Sequence, residues 1–103
     1  MNTAALKDLQ RIPGVGPSIA GDLLKLGFTH VPELRGRDPE KLYARSNQLR
    51  GQTQDRCLLY VFRCAVYFAE EKRPDPERLK WWNWSDAKLE LKRNPGARAL
   101  RLH

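Results

Sequence analysis

The residues best suited to chemistry lie between Ile12 and Ala20, where Pro13, Gly14, Val15, Gly16, Pro17 and Ser18 follow one another. Two glycines around one apolar residue permit positive φ and close backbone approach, so successive N–H groups can turn outward together. At the start of a helix the first amides have no intrahelical acceptor and the dipole is positive. Such a cluster suits an anion, above all a phosphate. The candidate donors are the amides around Gly14, Val15, Gly16 and Ser18, with the Ser18 hydroxyl beside them. Pro17 removes one amide from the set, Asp22 lies one turn further on, and Lys25 is the only cation of the segment that follows. The same turn can also serve packing alone, with Val15 plugging the gap and Ala20 allowing close helix contact.

Three indoles in four residues, Trp81, Trp82 and Trp84, form a second candidate. They can stack bases, at about 1–3 kcal/mol per base in single-strand binders, or close an interface with a protein partner. Aromatic burial also dominates small cores, and Trp81 or Trp82 is expected to pack on the longest helix. Arg50, Arg56 and Arg63 either extend a phosphate track or stand as solvated helix-face charges, Arg56 and Arg63 sharing a face near the solvent edge. Cys57 and Cys64 are two helical turns apart, about 10 Å of rise, too far for a disulfide, and both read as core. Only His30 and His103 could join them around a metal, so no metal or other cofactor is expected. No nucleophile elbow occurs and neither cysteine has an evident base, so the chain reads as a binding protein and not an enzyme.

Nineteen Lys and Arg residues against twelve Asp and Glu give a formal charge of +7, which favours a polyanionic partner, nucleic acid first. The excess lies after the glycine turn: residues 1–35 carry four cations and three carboxylates, residues 36–73 eight and five, and residues 74–103 seven and four. A content of 41% apolar and 30% charged residues is globular. No apolar run approaches a membrane span or a signal peptide, so no membrane partner and a cytoplasmic location are expected.

The elements that must hold these groups are helical. Asn2 or Thr3 caps a first helix to about Gln10, Pro13 stops it, and Pro17 opens a second that Gly27 ends. Thr29 caps a short turn over Pro32, Glu33 and Leu34. Asp38-Pro39-Glu40 is a helix start with a capping side chain, a proline at the first position and a carboxylate near the positive dipole end; this helix reaches Leu49 and Gly51 closes it. Asp55 begins the longest helix, to about Lys72, with Cys57, Val61, Cys64 and Phe68 along one apolar line. Pro74-Asp75-Pro76-Glu77 restarts a short helix through Leu79, and Ser85 caps residues 86–93. No strand-like alternation persists, so the fold is all-α: one helical domain over residues 1–93, with residues 94–103 a mobile tail. The pairs 3–26 and 39–72 also read as a repeated helix-loop-helix unit whose second copy keeps only Leu49-Arg50-Gly51 of the turn.

From Leu9 through Leu24 the pattern resembles the helix-hairpin-helix motif: an apolar residue, Pro-Gly-apolar-Gly, an alanine four residues on, and apolar residues three and four beyond it. The resemblance implies a compact SAM-like helical domain, with the motif at residues 3–26 and a C-terminal Trp-rich extension. It implies sequence-independent binding of the DNA backbone, the contact that positions a protein without reading bases. This sequence departs from the motif in placing Pro17 and Ser18 where a basic residue often follows the glycines. Ile12 to Ala20, Asp38 to Tyr43, Arg56 to Ala69 and Lys80 to Trp84 together resemble the bacterial pathogenicity-locus, or mitomycin-resistance, family over about residues 4–86. That likeness names a genetic context and a drug phenotype, and adds drug sequestration as an alternative to DNA binding.

Overall fold

A computed structural model describes residues 3–93, with side-chain surroundings through Leu89; the expected tail at 94–103 and a cap at Asn2 lie outside the described residues. Five α-helices follow in order: α1 Thr3–Leu9, α2 Pro17–Lys25, α3 Pro39–Arg50, α4 Arg56–Glu70 and α5 Asp86–Arg93. Short 3₁₀ turns occupy Val31–Leu34, Pro76–Leu79 and Trp81–Trp84, and there is no strand among the described residues. The fold is all-α.

Burial organises these pieces around α4. Leu59, Val61, Phe62, Cys64, Ala65, Val66 and Ala69 turn inward from it, and α3, the Val31–Leu34 turn and both later 3₁₀ turns pack upon it. α1 and α2 pack on each other and add Leu9, Ile12, Val15, Ala20, Leu23 and Leu26 to the same core.

Local chemistry sets most of the helix ends. The Asp38 carboxylate accepts the Glu40 N–H at 2.9 Å, and Asp55 accepts the Cys57 N–H at 2.8 Å, each satisfying an orphan donor of a first turn. Gly51 adopts φ 70° and its N–H returns to the Asn47 and Gln48 carbonyls, the left-handed closure that glycine makes without a Cβ penalty. The Ser85 hydroxyl accepts the Lys88 N–H at 3.3 Å at the head of α5.

Four expectations are corrected. The Val31–Leu34 turn is capped at His30, not Thr29: Glu33 reaches back to accept the Thr29 and His30 N–H groups at 2.6 and 2.9 Å, and these bonds lower its carboxyl to about 2. α4 stops at Glu70 rather than Lys72, because the loop after residue 34 closes its end; Arg35 Nε donates to the Ala69 carbonyl and the Gly36 N–H to the Glu70 carboxylate, both at 2.8 Å. Cys57 is exposed while Cys64 is buried, since the first turn of α4 projects beyond the core and its first buried residue is Leu59. Burial pushes the Cys64 thiol up to about 11, and the thiol points at the Leu79 carbonyl, 3.4 Å away.

Arg63 is not at the solvent edge. Its side chain is 11% exposed and its guanidinium donates to the Trp84 carbonyl at 2.8 Å, to Glu40 at 2.7 Å and to Asp86 at 3.0 Å. One cation thus ties α4 to the start of α3, the tryptophan turn and the start of α5. Charge-assisted bonds contribute about 1.5–3 kcal/mol each at most, and the two carboxylates are half-exposed, which moderates the total. Arg63→Met should lower stability by about 2 kcal/mol and the melting midpoint by about 10 °C; calorimetry showing an unchanged midpoint would remove Arg63 from this role.

Asp86 is held well below the usual carboxylate range, first by hydrogen bonds from the Arg56 guanidinium and, against the effect of burial, by Arg63 and Tyr60. A depressed carboxyl contributes stability that is complete above its unfolded value of about 3.9 and lost as pH falls below it. The melting midpoint should therefore drop on going from about pH 5 to about pH 2, and Asp86→Asn should show a smaller drop. Equal drops in both proteins would assign the acid sensitivity elsewhere.

Candidate functional site

The turn between α1 and α2 is built from the inside. Ile12 and Val15 are buried; the Ile12 N–H donates to the Leu9 carbonyl at 3.2 Å and the Val15 N–H to the Ile12 carbonyl at 3.0 Å. Val15 therefore belongs to the core, and its amide is engaged within the turn. Gly14 has φ 86°, which reverses the chain. Gly16 stands at the N-cap of α2 with φ −94° and ψ −172° and has no side chain to close the helix. Its carbonyl accepts the Ala20 N–H at 2.9 Å. The amides of Gly14, Gly16 and Ser18 make no hydrogen bond within the described residues, and Gly14 and Ser18 are exposed. The arrangement can offer three backbone donors, backed by a nine-residue helix, to an oxyanion.

The tryptophan turn meets this hairpin. A Cβ built on Gly14 would come within 2.9 Å of Trp81 Cδ1, so the indole sits where any other residue would place a side chain. Trp81 is half-buried against the core, as expected for one of the pair. Trp82 leans edge-on against Trp81, with ring centroids 5.7 Å apart at 85°, and is 53% exposed. Trp84 packs its ring on Tyr67 at 5.3 Å and donates its indole N–H to the Arg78 carbonyl at 2.6 Å. Of the three indoles Trp82 alone presents a large free face.

The candidate cations fall in different places. Arg50 bonds Asp22 at 2.7 Å, and Asp22 is only 7% exposed, so the carboxylate on α2 is covered and paired. Lys25 and Arg50 share a small recess with Asp22, Ser46 and Leu49, at least one helical turn from the hairpin amides. Arg56 instead grips both oxygens of Asp86, at 2.7 and 3.0 Å, and that carboxylate raises its pKa further; it joins α4 to α5 and is not brought to the hairpin. Sequence reasoning missed three cations, Arg37, Lys41 and Arg45, which line one groove of about 340 Å³ beside Phe28. Their four-residue spacing was the available signal. Among the described residues no group of three or more His, Cys, Asp or Glu side chains gathers as a metal cage would, and no helix is long and apolar enough to cross a membrane.

The mitomycin resistance protein McrB of Streptomyces lavendulae is 34% identical over 91 residues, covering 88% of this chain and 83% of that protein. No solved structure matches. The model of the family described as pathogenicity locus matches residues 2–90, which span both the glycine hairpin and the tryptophan turn. The chain belongs to the pathogenicity-locus family.

Proposed function

We propose that this protein is a small DNA-associated binding protein, not an enzyme, whose hairpin holds backbone phosphate without reading bases. The observation that carries the reading is the set of amides at Gly14, Gly16 and Ser18 that lack acceptors within the described residues, with Gly14 and Ser18 exposed. The positive charge of the chain supports it, and so does the pairing of Asp22 by Arg50, which removes the carboxylate nearest along α2. A relative named for mitomycin resistance is consistent with it, because mitomycin crosslinks DNA and a protein seated on damaged DNA is one route to resistance.

Gly14 is a poor site for a test, since its φ of 86° and the contact with Trp81 make any side chain there disruptive. Gly16 is a good one: a Cβ on it meets nothing within 4 Å, and its extended backbone is the N-cap conformation that Asp and Ser favour. Gly16→Asp should close the first turn of α2 and stabilise the protein by a few tenths of a kcal/mol, while filling the anion position with a carboxylate. Fluorescence titration with unrelated duplex and single-stranded oligonucleotides at low salt should then show binding by the parent and at least a tenfold loss in Gly16→Asp. Equal binding by the two proteins would sink the hairpin mechanism.

A second reading rests on Trp82, whose exposed indole suits a docked partner or a planar ligand, including a sequestered drug. Trp82→Ala should leave the melting midpoint within a few degrees but abolish calorimetric heat with mitomycin if that reading holds. Absence of heat with the parent protein would discard the drug.

A further inference from the structure

We infer that the groove formed by Arg37, Lys41 and Arg45 is a second phosphate-binding track for nucleic acid, continuous with the hairpin along the seam between α2 and α3. The inference rests on the DNA reading above but on different residues. Lys41 and Arg45 lie four apart on α3, one turn and about 6 Å of rise from each other on the same face. Arg37 precedes the helix and reaches the same groove, its guanidinium centre 5.4 Å from the Phe28 ring centroid and its Nε donating to the Glu33 carbonyl at 3.3 Å. These two contacts hold the guanidinium in place and leave its terminal nitrogens for a ligand.

None of the three cations has a carboxylate partner among the described ion pairs, although Arg11, Arg50, Arg56, Arg63 and Lys80 all do. The one carboxylate lining the groove, Asp38, is engaged in capping α3. Like charges at i and i+4 repel, and an anion in the groove reverses that repulsion. At about 340 Å³, floored by Phe28 and Leu42, the recess has room for a phosphate and part of its sugar.

Its position supports a polymer rather than a small anion. Arg50 meets Asp22, Lys25 shares a recess with Ser46 and Leu49, and Phe28 lines one groove with Leu42, so later residues of α3 lie beside earlier residues of α2. Cations follow that seam in the order Arg37, Lys41, Arg45, Lys25 and Arg50 toward the hairpin end of α2. The nine residues of α2 separate the two ends by about 14 Å, a span that several consecutive phosphates cover, at one per ~3.4 Å of axis on each strand.

The test is a salt titration of duplex binding by the full chain. Replacing Arg37, Lys41 and Arg45 together by Gln should make the slope of log affinity against log salt shallower by about 2.7, or ~0.9 for each lost phosphate contact. Replacing Lys7, Lys72 and Arg73, three exposed cations elsewhere, removes the same charge and should change the slope by less than about 1. Equal changes in the two triple variants, or none in either, overturn the groove. Binding that survives Gly16→Asp but fails in the groove variant supports the groove and refutes the hairpin. A parent that binds no duplex or single strand at low salt overturns both. Parent binding to anionic vesicles, lost in the groove variant without a change in DNA slope, assigns the groove to a lipid surface and overturns this inference. Unchanged melting midpoints in both variants establish that folding is not what moved.

Discussion

A tryptophan edge against a glycine that has no side chain joins the two halves of this protein. Trp81 lies sixty-seven positions after Gly14, and the contact exists only because the turn there is left-handed and bare. It fixes the hairpin from behind. Ile12 and Val15 are drawn into the core, and the indole, packed against that core, covers the bare face of Gly14. That the amides of Gly14, Gly16 and Ser18 find no acceptor among the described residues is thus a product of packing as much as of glycine.

Charge is distributed by a related logic. Several carboxylates are occupied by structural work: Asp8 bonds the Val31 N–H, Asp22 bonds Arg50, Glu40 and Asp86 bond Arg63, and Asp38, Asp55 and Asp75 close first turns. The fold thereby fixes its negative charge at helix ends and junctions. Cations that no junction needs are left on the surface, and the α3 groove gathers three of them. Net charge alone does not reveal this sorting.

What the sequence disclosed was local. Proline and glycine punctuation located the hairpin, because the constraints on Pro13, Gly14 and Pro17 act within a few residues. Asp38, Gly51, Asp55 and Ser85 marked helix ends through side-chain and backbone chemistry reaching two to four positions. The inward face of α4 was legible from Val61 and Cys64. Periodicity overextended that face to Cys57, since it cannot tell where a helix leaves its neighbours. Arg63 was misplaced for a different reason: its partners Glu40, Trp84 and Asp86 are 21 to 23 residues away, and an arginine on an apolar helix looks solvated until they arrive. The separation of the three indoles was hidden likewise, because Gly14, Tyr67 and the Arg78 carbonyl decide it.

The bare N-cap of α2 has a consequence of its own. A helix whose boundary residue is Gly16 is unfinished in a chemical sense: the closure that Asp38 and Asp55 give to α3 and α4 from within must here come from solvent or from a guest. An acceptor settling on those amides would be the missing residue of the helix supplied by another molecule. Association at the hairpin would then supply from outside the cap that Gly16 cannot provide.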